Sequence, residues 1–449
     1  MSEHTPNSQK VQEARQQAEV VADMCYRFVQ PLLYSLYRKL DRRLVQTLLD
    51  LMLVIVIHRH RNHGLLLSEL GGYLLNGEHA PAGTKRIHNL LRHPGWEAQA
   101  ISDYLWEQAD QAVQQRLSPQ DEVYVIWDES VIEKSESLKP ERLCAVRSSK
   151  ARRLKRIKPG YYNPPGGRPI FVPGFNWLQV LVTGMRGAPA LAHLRYWTTR
   201  GEAQTTKRQE EHQVLQQVAK RWGRMVIHIW DRGFAGAPWL GFALLYQVRF
   251  IVRWQKGYNL IAGDGRLLKA WQCTRGKRSV DHRLIYDAVR RCERKTGIVY
   301  VPVRVPNFPD LPLTLVVSRP GKGRTPWYLI TNEPIQTVAD AWRIVLAYNR
   351  RWQVEVSIRY SKSELAFESP RLLKWNRREK LLAIAALVQA FLFSLLDAKF
   401  DLLRTRLLRA WCHRTGKRNR SKAVPLYRLR LALSSLWLAF RPLVLPRLN

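Results

Sequence analysis

The sequence predicts an α/β protein flanked by helices. Three observations carry that prediction: a change of hydrophobic period near residue 120, two apolar runs that each end in Trp-Asp, and a return to helical pattern from Val338. Residues 11–105 read as mostly helical, beginning with a polar helix around Val11–Phe28. Leu65–Leu75 and Thr84–Leu91 read as two short helices, and the Gly, Pro and Asn of NGEHAPAG make the segment between them a loop. Thr84 is the expected N-cap, with Lys85 and Arg86 in the first turn and Pro94 ending the helix. A basic first turn opposes the helix dipole, and makes sense where that end faces phosphate. Residues 1–105 thus read as a helix-turn-helix-like DNA-binding domain, with a plain helical bundle as the competing reading.

Residues 106–395 read as one α/β domain, in which strands alternate with helices from about residue 120. Val123–Ser130 (VYVIWDES) and Met225–Phe234 (MVIHIWDRGF) read as buried strands ending in Asp128 and Asp231. Asn176–Gly184 and Ala190–Trp197 supply two strands between them, followed by the polar helix TTKRQEEHQVLQQVAKRWG. After the second acid FAGAPWLGFALLYQ reads as a helix. FIVRWQ, GIVYVPVRV, LTLVVS and PWYLITN then make a β-rich insertion over about 248–335, before the helix Val338–Arg351. Residues 396–449 form a basic helical C-terminal region. From residue 402 onward it has 12 Lys plus Arg and no acid, which suits DNA contact or dimerisation.

Composition narrows the function. The 449 residues hold 73 Lys plus Arg against 36 Asp plus Glu, a net charge of +37. That excess points to a polyanionic partner, with nucleic acid favoured over an acidic membrane. Five scattered cysteines without a CxxC pair give neither a disulfide framework nor a zinc site. The polar start MSEHTPNSQKVQEARQQ lacks the apolar core of a signal peptide, so a cytoplasmic location is the default expectation. Leu381–Leu396 is apolar over 16 residues but carries Gln389. It is shorter than the roughly 20 residues a membrane span needs, and no membrane is expected.

Groups at the carboxyl ends of strands form the ligand crevice of an α/β sheet. Asp128 or Asp231 alone could be a helix N-cap; together, the two call for a bridging cation. The stretch YNRRWQVEVSIRYSK, residues 348–362, adds Glu355 among cations. On a helical wheel Tyr348, Arg351, Glu355 and Lys362 fall within an arc of roughly 60°. Simple i,i+4 pairs, Arg351–Glu355 and Glu355–Arg359, also explain that face. With a third carboxylate, a hard divalent cation such as Mg²⁺ becomes the fitting partner.

Strand-Asp, strand-Asp and helix-Glu with a β insertion before the Glu resembles the DDE transposases, whose catalytic core is RNase H-like. The spacing Tyr348-x2-Arg351-x3-Glu355-x6-Lys362 is similar to the Y-R-E-K signature of the cut-and-paste group named after insertion sequence four. The resemblance covers roughly residues 120–395 and implies an RNase H-like core interrupted by the insertion. It implies Asp128, Asp231 and Glu355 as catalytic metal ligands for Mg²⁺, with Mn²⁺ as a substitute. Arg351 and Lys362 would contact backbone phosphate, and Tyr348 the DNA near the cut. The partners implied are double-stranded DNA, both transposon ends and target, with a homodimer pairing the ends. A hairpin intermediate is part of the implied pathway. A nuclease that cuts without joining, and an inactive DNA-binding derivative, are the other readings.

Two further expectations concern DNA contact. Trp254, flanked by Arg253 and Lys256, either holds a flipped base or is an ordinary core aromatic. Residues 139–168, with ten Lys or Arg and one acid, read as a basic loop that orders on DNA or as a solvated charge run.

Overall fold

Five helices open the chain: α1 (Ser8–Tyr37), α2 (Arg42–Ile57), α3 (Leu67–Leu74), α4 (Ala80–Arg92) and α5 (Gln99–Arg116). The computed structural model describes residues 8–58, 64–117, 121–134, 139–148, 170–287, 292–321, 324–412 and 426–442. Most of the basic loop expected at 139–168 therefore lies outside the described residues, as do parts of the C-terminal region.

Helix α4 begins four residues earlier than the sequence reading placed it. Pro81 occupies the first turn, where its missing N–H breaks no helical bond. Thr84 is therefore no N-cap: its hydroxyl donates to the Leu67 carbonyl at 3.1 Å. Lys85 and Arg86 sit in the second turn, so the helix-dipole argument for them does not hold. Arg86 instead ties α4 to α2, with Nη2 2.9 Å from Asp50 and Nε donating to Thr47 at 2.8 Å. The two helices α3 and α4 touch at glycines, since a Cβ on Gly83 would lie 2.2 Å from the Gly71 carbonyl oxygen.

Strand β1 (Val123–Glu133) turns Val123, Val125 and Trp127 to one side of the sheet and Tyr124 and Ile126 to the other, all buried. Apolar side chains on both faces require cover on both. The strands β2 (Cys144–Arg147), β3 (Phe171–Gly184) and β4 (Ala190–Trp197) continue the sheet, with β1 antiparallel to β3. Helix α6 (Lys207–Trp222) crosses over to β5 (Val226–Trp230), and α7 (Ala237–Leu245) to β6 (Arg249–Arg253). Strand β5 lies parallel to β1 on one side and to β6 on the other.

The β-rich segment does not fold apart from this sheet. It comprises β7 (Asn259–Ala262), β8 (Leu267–Lys269), β9 (Asp281–Asp287), β10 (Cys292–Val305), β11 (Phe308–Arg319) and β12 (Trp327–Thr331). Strand β12 hydrogen-bonds to β6, giving one twelve-stranded sheet in the order β2-β3-β1-β5-β6-β12-β11-β10-β7-β8, with β4 on β3 and β9 on β10. Strand β6, inside the range read as insertion, belongs with the parallel strands.

Helices α8 (Val338–Asn349), α9 (Trp352–Ser363), α10 (Trp375–Ser394), α11 (Asp401–Trp411) and α12 (Leu426–Ala439) follow. One face of the sheet packs on α6 and α7; the other packs on a helical layer in which α1–α5 and α8–α12 share a single core. Helix α5 runs through the domain boundary expected at residue 105. Within α10, residues Leu381–Phe393 are buried, and among the described residues no single helix is long and apolar enough to cross a membrane. The chain's two ends meet in this layer. On α12, Arg430 donates to the Ile55 carbonyl at 2.7 Å, Ser434 to that of Ile57 at 2.6 Å, and Trp437 to that of Ala18 at 3.2 Å.

Candidate active site

The β1–β5 register brings the two aspartates together. It pairs Val123 with Val226 and Ile126 with Ile229; carried two residues on, it sets Asp128 opposite Asp231. Neighbouring strands lie only about 4.8 Å apart. Strand parity points both side chains to the face covered by α8 and α9. Asp128 is not the strand end expected, because β1 continues to Glu133. It sits in mid-strand, where its Cα partner on β3 is Gln179. Asp231 does follow the last residue of β5, and its carboxylate accepts from the Gly233 N–H at 2.6 Å. Both readings of Asp231, strand-end acid and cap, are thus realised in one side chain.

Burial pushes the Asp128 carboxyl up to about 6; Arg351 pulls it down, and Asp231 pushes it up again. The Arg351 guanidinium lies between acids: Nη1 is 3.7 Å from the Asp128 carboxylate, and Nη2 donates to Glu355. Asp128 and Glu355 therefore share one cation, and Asp231 faces Asp128 from the neighbouring strand. Of the two i,i+4 pairs considered, Arg351–Glu355 forms, whereas Arg359 is exposed.

The helix bearing Glu355 is not continuous with the one bearing Tyr348. Between α8 and α9 the N–H groups of Arg350, Arg351, Gln353 and Val354 bond carbonyls three residues back, at 3.0–3.1 Å. Three residues per turn overwinds the chain relative to an α-helix, so a wheel drawn through all fifteen residues misplaces its ends. Tyr348 is buried, stacked edge-on to Trp327 at 5.2 Å, with Arg351 5.9 Å above its ring. Burial raises its phenol pKa. Lys362 lies at the far end of α9, 3.6 Å from Glu368. The structure brings together Tyr348, Arg351 and Glu355 and leaves Lys362 outside that group.

A cavity of about 430 Å³ opens beside Glu355. Arg253, Arg294, Arg324 and Arg351 line it, together with Tyr348 and the half-exposed ring of Trp352. Trp254 faces the other way. It is 3% exposed, in the core on the opposite face, 5.6 Å from Tyr258. Side chains alternate along a strand, so Arg253 reaching the cavity forces Trp254 away from it. The core reading of Trp254 is correct, and Lys256 is exposed beyond the strand.

Sequence reasoning missed Arg294, Arg324 and Trp352. Trp352 was findable, four residues after Tyr348 on the same helical stretch. The two arginines carried no local signal. It also missed a salt-bridged cluster beneath the sheet, where Lys207 pairs with Glu129 and lies 3.5 Å from Glu211. Burial pushes the Glu211 carboxyl up to about 7.

The donor set suits a hard cation, since all the acids offered are carboxylates: Asp128 beside Asp231, and Glu355 joined to Asp128 through Arg351. Among the described residues no three His, Cys, Asp or Glu are already gathered for an ion, and Arg351 supplies the positive charge between Asp128 and Glu355.

Residues 181–391 match the family model described as "Transposase DDE domain", a span that holds Asp231 and Glu355 and begins after Asp128. The match supports a DDE transposase, an enzyme that cuts and transfers DNA. Among solved structures the chain is similar to a piggyBac transposase in its synaptic complex with hairpin DNA. The identity is 12%, the TM-score 0.42, and the alignment covers 89% of this chain and 72% of that one.

Proposed function

We propose that this chain is a cut-and-paste DNA transposase of the Y-R-E-K type, with Asp128, Asp231 and Glu355 as its catalytic acids. The observation that carries the reading is the parallel register that sets Asp128 beside Asp231 under the helix of Glu355, with Arg351 bonded between strand and helix. Strand order supports an RNase H-like core: β4, β3 and β1 form an antiparallel meander, and β5 and β6 extend it in parallel through crossover helices.

Asp128, Asp231 and Glu355 would hold the divalent cation, Mg²⁺ or Mn²⁺. When bound, that cation lowers the pKa of the attacking hydroxyl and neutralises charge on the leaving oxygen. The chain's own residues bind and orient the DNA. Arg253, Arg294, Arg324 and Arg351 present a concentrated positive field at the cavity, suited to the phosphates flanking the scissile bond. Arg351 exchanges its carboxylate partners for phosphate when DNA enters. The cavity, rather than Trp254, is the place for an unstacked nucleotide of a hairpin, with Trp352 at its rim. Lys85 and the C-terminal cations contribute general phosphate contact, and a homodimer pairs the two ends.

The test is incubation of purified protein with Mg²⁺ and end-labelled DNA carrying the element's termini. Nicking at the terminus, a hairpin product and joined target DNA are expected. Nicks without hairpin or joined products would reduce the reading to a nuclease, and an uncut substrate would overturn it.

A further inference from the structure

The core between the sheet and α9–α10 holds a connected set of uncharged polar side chains. Gln179, Ser357, Ser361 and Gln389 are buried there at 0%, 1%, 0% and 0% exposure. Gln179 Nε2 donates to Ser357 Oγ at 2.8 Å. Gln389 Nε2 donates to the same oxygen at 2.7 Å, and Ser361 Oγ donates to Gln389 Oε1 at 2.7 Å. One connected set of side chains therefore ties β3, α9 and α10 together.

Its ends meet the proposed site. Gln179 is the Cα partner of Asp128 across β1 and β3. Ser357 lies two residues after Glu355 on α9, roughly on the opposite side of the helix. Ser357 thus faces the core while Glu355 faces Arg351 and Asp128. A stability role explains these polar groups poorly. Leucines of similar volume would fill the space, and the Gln179 Oε1 is left without a hydrogen-bond partner, which costs about 1–3 kcal/mol. Buried polar groups are best attested as devices that fix register. From Leu381 to Phe393, Gln389 apart, α10 is apolar and buried on every side, so that part of the helix supplies no such stop.

We propose that Gln179, Ser357 and Gln389 are positioning residues that fix the rotation and height of α9, and through it the reach of Glu355 towards Asp128. This rests on the active-site reading above. A carboxylate shifted by about 1 Å is enough to cost on the order of 100-fold in rate.

The experiment compares wild type with the double variant Gln179→Leu/Gln389→Leu and with Ser357→Ala, which removes a single oxygen and keeps a folded control if the double variant fails to fold. In each, DNA affinity should stay within about 3-fold, while Mn²⁺ needed for half-maximal binding rises by roughly 10–100-fold, as for other outer-shell partners. Hydrogen exchange should quicken in α9 amides and remain unchanged in α6. Ser357→Thr, which keeps the hydroxyl, should restore Mn²⁺ binding relative to Ser357→Ala. Unchanged Mn²⁺ binding and α9 exchange in a folded variant overturns the proposal. Wild-type protein that neither binds Mn²⁺ nor cuts DNA would instead overturn the transposase reading, and α9 exchange would still decide the positioning role.

Discussion

Arg351 donates to Glu355 one helical turn away while its other Nη lies 3.7 Å from Asp128. A guanidinium thus occupies the electrostatic position that a divalent cation would take. Arg351→Ala should raise Mn²⁺ affinity of the DNA-free protein by about 10-fold, the worth of one charge-assisted contact. It should lower strand cleavage at the same time, because the phosphate contact goes with it. Manganese titration followed by electron paramagnetic resonance measures the first effect; equal affinity in the two proteins would remove the competition argument.

The three acids make a sharper case. Asp128→Ala, Asp231→Ala and Glu355→Ala should each reduce cleavage by at least about 10³-fold, on the scale of losing an essential catalytic group, with DNA binding kept or slightly tightened. Asp231→Ala should also lose about 1 kcal/mol of stability, because Gly233 loses its capping acceptor. Cleavage that survives any of the three substitutions contradicts the assignment.

Trp254 and its neighbour separate core from cavity. Trp254→Ala should destabilise the fold by about 3–5 kcal/mol, the usual cost of emptying a buried aromatic site. Arg253→Ala should leave the melting temperature almost unchanged and weaken cleavage. Calorimetry beside a cleavage assay reads both; a thermally silent Trp254→Ala would place that ring outside the core.

Glu211 yields a pH prediction. Its folded-state pKa is raised from 4.5 to about 7. Between those values the folded protein keeps a proton that the unfolded chain releases. Stability therefore falls as pH rises from about 4.5 to about 7. Glu211→Gln should stabilise the protein by on the order of 1–3 kcal/mol at pH 8 and have little effect at pH 4. Urea melts at the two pH values check it, and an equal effect at both would disprove the linkage.

Legibility in the sequence followed the range of the interaction. Asp128 and Asp231 could be read because each sits within a local alternation of apolar residues, although the register that pairs them could not. Glu355 and Arg351 were readable as i,i+4 neighbours. The single wheel missed the overwound turn at Arg350–Arg351, yet Tyr348, Arg351 and Glu355 still meet; Lys362 keeps the Glu355 side of α9 and is separated from it by about two turns along the axis. The sequence left two readings of Trp254 open, and strand parity, where a one-residue difference exchanges faces, selects the core one. Thr84 lost the cap to a helix started by Pro81, a residue that also signals loops. The bond from Gln179 to Ser357 spans 178 positions, beyond any local pattern.

The clasp between α12 and the first two helices has a consequence for synthesis on the ribosome. Ala18 waits 419 residues for Trp437, and Ile55 waits 375 for Arg430. At about 5–20 residues per second, the N-terminal helices spend roughly 20–80 s with their apolar faces uncovered. The nascent chain cannot close its helical layer until α12 has emerged. Fragments that end before α12 are therefore candidates for chaperone capture or degradation rather than independent DNA-end-binding modules. Truncation that removes α12 strips the first two helices of these contacts.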